Sequence, residues 1–266
     1  MQLILVSRGR IMGLERFLYI ECNVFAMIIL ALMYRGKRRE FLTKDQILFN
    51  HVIISTMTVL GLDTVTWVIN GVMFPHAQFV GYLVNWLFWL SSMIPCYLGF
   101  LFGYYKVYHR LGRRVCLIAA IPVFTAIVLL IANFGTGWIF TVSEANVYHR
   151  GPIFFVAGLL PFVHIIAAEV ILAGRLRRVP QYERSYYEMM AATLLFPVVG
   201  CIIQVAFYGT STIWVSLTIV VIVFYNYLQK GYISVDSLTG LATGEDLTVI
   251  PEGAWKIWKR TLPFIC

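Results

Sequence analysis

Seven largely apolar runs follow one another down this chain, at about 15–34, 46–70, 79–105, 115–134, 152–173, 188–208 and 213–228. Each is near the ~20 residues that a helix needs to cross the hydrocarbon core of a bilayer. Together they occupy most of the 266 residues, so little length is left for a soluble catalytic domain. The composition agrees, with 60% of residues hydrophobic and only 13% charged. That is too little polar material to coat a water-soluble globule, and it excludes a disordered chain, a coiled coil and a disulfide-rich secreted module. The expected fold is an all-α membrane protein, a seven-transmembrane-helix bundle embedded in the lipid bilayer.

Basic residues set the expected orientation, because short cytoplasmic loops retain Lys and Arg. Arg35, Lys37, Arg38, Arg39 and Lys44 follow span one. Lys106, Arg110, Arg113 and Arg114 follow span three, and Arg175, Arg177, Arg178 and Arg184 follow span five. The opposite side carries Arg8, Arg10 and Arg150. Thirteen against three puts the N-terminus outside and the C-terminus in the cytoplasm, which requires an odd number of spans. The chain then divides into an external segment 1–14, a membrane domain 15–228 and a cytoplasmic linker and tail 229–266. The formal charge of +8 is absorbed by these loops, and no nucleic-acid partner is expected. The aromatic residues near span ends, Trp67, Phe79, Tyr108, Phe134, Trp138 and Trp214 among them, read as interfacial anchors. Pro95, Pro122, Pro161 and Pro197 fall inside spans and mark kinks.

Ionisable groups in a membrane are costly and concentrate at functional positions. Glu21 in span one and Asp63 in span two fall toward the outer side and are candidates for an externally open pocket; Asn85 of span three, a polar insertion that more readily ties helices together, is a further candidate contact. His51, His164 and Glu169 are read as interhelical hydrogen-bonding groups, as are Asn50, Gln204 and Asn226. Between spans four and five, residues 138–142 and 147–150 are β-prone and are joined by the turn-forming Ser143-Glu-Ala-Asn146. They predict a short external β-hairpin over the mouth of the bundle. Its Tyr148, His149 and Arg150 are further ligand-contact candidates. Cys22, Cys96, Cys116, Cys201 and Cys266 have neither metal nor redox spacing. No phosphate-binding glycine loop, His-Glu-x-x-His or nucleophile elbow is present, so no cofactor, metal or catalytic residue is expected.

Beyond span seven the sequence reads Asp236-Ser-Leu-Thr-Gly-Leu241. Asp236, Leu238, Thr239, Gly240 and Leu241 resemble the Asp-x-Leu-Thr-Gly-Leu-x-Asn-Arg motif that opens GGDEF domains, the diguanylate cyclase module. Tyr148-His-Arg-Gly-Pro152 is similar to the external loop of seven-span sensor regions attached to such cyclases. Thr243-Gly244 replaces the closing Asn-Arg, and the Gly-Gly-Asp/Glu-Glu-Phe hairpin does not occur. The resemblance implies the sensor region of a bacterial inner-membrane GGDEF protein, cut at the start of its catalytic domain and not itself an enzyme. It implies an unidentified small-molecule signal, a homodimer and a part in cyclic di-GMP signalling. The alternative is a small-solute or ion-coupled transporter with Glu21, Asp63 and Glu169 as ion sites. The absence of an internal repeat argues against it.

Overall fold

A computed structural model describes residues 2–36, 44–179, 181–206 and 212–233, with side chains described between residues 16 and 228. Its order is α1 (Gln2–Arg35), α2 (Lys44–Ile69), α3 (Ala77–Tyr108), α4 (Arg113–Ala119), α5 (Ile121–Thr136), β1 (Phe140–Val142), β2 (Tyr148–Arg150), α6 (Phe154–Leu176), α7 (Gln181–Leu194), α8 (Phe196–Ala206) and α9 (Thr212–Ile233). Six helical segments are long and apolar enough to cross a bilayer: Arg16–Arg35, Lys44–Ile69, Ala77–Tyr108, Arg113–Thr136, Phe154–Leu176 and Arg184–Gln204. The seventh expected span is the shorter apolar stretch Thr212–Leu228. It lies within a helix of 22 residues, about 33 Å at 1.5 Å per residue.

The first and sixth helical segments start earlier than the apolar runs. Helix α1 continues back to Gln2, since residues 2–14 contain no proline to stop it. Helix α7 begins at Gln181, on a polar turn ahead of the apolar run. Two of the four span prolines break their helices. The Arg113–Thr136 segment is interrupted at Ala120, two residues before Pro122, and α7 gives way to α8 at Leu195, two residues before Pro197. A proline removes the N–H that would bond four residues back and crowds that turn. Pro95 and Pro161 are carried inside unbroken α3 and α6.

Polarity is arranged inside out. Asn23, Asp63, Asn85, Asn133, His164 and Thr218 are all buried. Ile121, Phe124, Val128, Ile131 and Phe134 of α5 form an exposed stripe at helical spacing. In water such a stripe marks an interaction surface, whereas against lipid tails it is the expected outer face. Buried hydroxyls return to their own helix: Thr56 donates to Val52 O at 2.8 Å and Thr218 to Trp214 O at 2.9 Å. Helix α3 is central, with α2 on one side and α6 on the other, while α8 packs on α9.

The expected hairpin is present, in the register Phe140↔Arg150, Thr141↔His149 and Val142↔Tyr148. Asn146 takes a left-handed φ of 56° at its turn, a conformation that Asn tolerates better than most residues. The hairpin is fastened to one end of the bundle. Asn146 Nδ2 donates to Ile69 O at 2.8 Å and to Val72 O at 3.0 Å. The Gly71 N–H donates to Asn146 O at 2.7 Å, and the Tyr148 N–H to Asn70 Oδ1 at 2.9 Å. A Cβ on Gly81 would run into the Asn146 side chain, so glycine is required where α3 passes under the turn.

Candidate ligand-binding site

Beneath the hairpin lies a cavity of about 290 Å³, walled by α1, α2, α3, α6, α8 and α9. Its walls are mostly apolar and rich in rings, including Trp67, Phe88, Trp89, Phe154 and Trp214. Asp63, Thr66, Asn70, Asn85, Ser92 and Gln204 add scattered polar groups, and Arg150 lines the cavity from the hairpin. An apolar concavity with a few convergent polar groups is the usual form of a small-molecule site.

Four of the six candidates read from the sequence meet here: Asp63, Asn85, Tyr148 and Arg150. Asp63 is 3% exposed. It accepts a hydrogen bond from Asn23 Nδ2 at 2.8 Å and another from the Tyr19 hydroxyl. Both donors come from α1, so this carboxyl clamps α1 to α2 as well as lining the cavity. Asn85 Nδ2 donates to Gly81 O at 2.8 Å. The Tyr148 ring stacks on Phe140 with centroids 5.6 Å apart. The Arg150 guanidinium lies over the Phe154 ring, 4.5 Å from its centroid, an attractive cation–π placement that fixes its position.

The other two candidates lie elsewhere. Glu21 is exposed and does not line the cavity. Tyr19, Asn23, Ala26 and Leu30 form the buried stripe of α1, and Glu21 falls between turns of it, on the outer face. His149 is exposed and likewise outside the lining, because neighbouring residues of a strand alternate faces. Trp67 and Trp214, expected as interfacial anchors, both line the cavity, and Trp214 is 7% exposed. The motif residues Asp236, Leu238, Thr239, Gly240 and Leu241 lie outside the described residues.

Several polar groups of the spans hold helices together. His164 Nε2 donates to Ala119 O at 2.8 Å, next to the α4–α5 break. Gln204 Oε1 accepts from the Ile213 N–H at 3.1 Å, joining α8 to α9. His51, expected to join helices, does not: it is exposed, and its Nδ1 is 2.7 Å from Ile47 O of its own helix.

Two lining features carried no sequence signal. Gly158 leaves space in the α6 wall, where an added Cβ would meet only the Trp89 ring at 4.0 Å. Trp89 is 9% exposed, and its indole nitrogen is buried with no hydrogen-bond partner among the described residues. Buried indole N–H groups ordinarily find an acceptor. Comparison with protein-family models and with curated proteins returns no match for this chain.

Proposed function

We propose that this chain is a membrane-embedded sensory module that binds a small ligand beneath its hairpin and passes the signal along α9 to a cytoplasmic diguanylate cyclase. The observation that carries this reading is the cavity itself, where Asp63, Asn85, Tyr148 and Arg150 converge. Helix α9 supports the output role. Its Ile213, Trp214 and Leu217 line the cavity. At its other end the Tyr227 ring meets Tyr186 at 5.5 Å. Lys106 Nζ and Asp45 Oδ2, 2.5 Å apart, tie α3 to α2. A ligand pressing on Trp214 therefore acts on the helix whose last residue, Ile233, precedes the Asp236–Leu241 motif in the sequence.

In this reading the seven spans run with the N-terminus outside, in a bacterial inner membrane, and two copies pair. The thirteen-to-three division of basic residues supports the orientation. The odd count gains support from Gly36, where an added Cβ would stand 3.7 Å from the Tyr225 hydroxyl. The C-terminal ends of α1 and α9 thus meet, as they do when both cross in the same direction. Cysteine at Glu144, an exposed turn position, in an otherwise cysteine-free chain is expected to react with a membrane-impermeant maleimide on intact cells. Labelling only after the cells are opened would reverse the orientation.

The signalling role is tested by joining the chain through residues 229–241 to a diguanylate cyclase domain, in a host without cyclases of its own. Filling the cavity with Gly158→Leu is expected to change cyclic di-GMP several-fold at equal membrane level. Equal output from the two forms would count against a cavity-driven sensor.

A further inference from the structure

The wall between α6 and α8 is built differently from the other walls. Helix α7 packs on α6, but beyond the break at Leu195 helix α8 packs on α9 and, among the described residues, makes no comparable contact with α6. Pro197, Cys201 and Gln204 of α8 nonetheless line the cavity, as do Phe155 and Leu159 of α6. Phe155 and Leu159 are 55% and 60% exposed. Residues one turn apart that both line a cavity and face outward form the rim of an opening. That opening lies within apolar helices, so it gives onto lipid tails.

The polar groups near it favour an acceptor. The Phe154 ring is flanked by the Arg150 guanidinium at 4.5 Å and by the Trp89 ring at 5.3 Å. The guanidinium thus sits against the aromatic wall at the hairpin end of the cavity. Asp63, elsewhere in the lining, disfavours an anionic group beside it.

We infer that the cavity takes a single-chain amphiphile with an acidic head, drawn sideways from the bilayer between α6 and α8. The head is held by Arg150, which lines the cavity from the hairpin, and the chain lies along the apolar lining. A volume of about 290 Å³ is at the low end of small-molecule sites, which suits one medium-length chain and not a two-chain phospholipid. The inference rests on the cavity being a ligand site.

The test uses the full chain in nanodiscs and three probes: ω-bromododecanoate, ω-bromododecanol and ω-bromododecyl-trimethylammonium. Bromine on the chain quenches Trp67, Trp89 and Trp214, which all line the cavity. Saturable quenching is expected to be tightest for the acid. Arg150→Gln is expected to weaken the acid about tenfold, the scale of a charged hydrogen bond, and to leave the alcohol unchanged. Gly158→Leu is expected to abolish saturation by all three probes. Arg150→Met, which keeps an apolar stem over the Phe154 ring and removes the charge, replaces Arg150→Gln if the latter fails to fold, with the same expected loss. Equal binding of acid and alcohol, or tightest binding of the ammonium probe, with saturation still lost in Gly158→Leu, overturns the acidic class and leaves the cavity site standing. Quenching that never saturates, or that survives Gly158→Leu, overturns both.

Discussion

Replacing Asn133 with leucine is expected to loosen the hairpin from the bundle and to lower stability by about 3 kcal/mol. The residue is 1% exposed and sits in the last turn of α5, where its carboxamide takes the place of backbone partners. Its Oδ1 accepts from the Ile139 N–H at 2.7 Å and from the Phe140 N–H at 3.2 Å. Its Nδ2 donates to Phe140 O at 3.0 Å and to the Tyr82 hydroxyl at 2.9 Å. Leucine matches the volume and satisfies none of these groups, and each buried orphan costs roughly 1–3 kcal/mol. Asn133→Asp keeps the acceptor for the two N–H groups and loses the donor, so an intermediate loss is expected. Thermal unfolding in nanodiscs gives the total. Protease cleavage in the hairpin turn gives the local part, and Asn133→Leu should raise it more than it lowers the melting temperature. A loss under about 1 kcal/mol with unchanged cleavage would mean that Phe140 and Val142 anchor the hairpin by packing alone.

What could be read from the sequence follows from which forces leave a local trace. The bilayer demands apolar length, so the six long apolar segments were legible to within about four residues, with or without a proline. The hairpin was legible because alternation, a turn and Asn146 are local features. Which prolines break a helix was not. Pro122 and Pro197 do and Pro95 and Pro161 do not, because the outcome depends on what neighbouring helices offer the freed groups. Asp63 and Asn85 stood out as polar residues in apolar runs. Glu21 stood out equally and lies on the outer face. In a helix that is apolar all round, hydrophobic periodicity cannot separate the two faces, and only Asn23, two residues on, marks the inner stripe. Trp89 and Gly158 were invisible for the same reason, since a ring or a gap in an apolar run looks like its surroundings until the facing helix is placed.

Asp63 is where the structural and functional roles of this site come apart, and two substitutions separate them. Asn23 is fully buried and Tyr19 is 5% exposed, and both direct donors at the Asp63 carboxyl. Asp63→Leu strands those donors in an apolar setting, and a loss of about 2–4 kcal/mol is expected from two unsatisfied buried groups. Asp63→Asn keeps an amide oxygen for them and removes the charge, so a loss under about 1 kcal/mol is expected, with α1 still docked on α2. If the ligand is acidic, that same substitution removes an anion from its cavity. Affinity for ω-bromododecanoate should then rise a few-fold while that for ω-bromododecanol stays constant, because only the charged head feels Asp63 across a low-dielectric space. A cationic ligand reverses the sign: Asp63→Asn would abolish binding of the ammonium probe in a protein as stable as the wild type. The direction of the change in Asp63→Asn, read beside the stability loss in Asp63→Leu, therefore distinguishes a carboxyl that only clamps two helices from one that also sets the charge the cavity accepts.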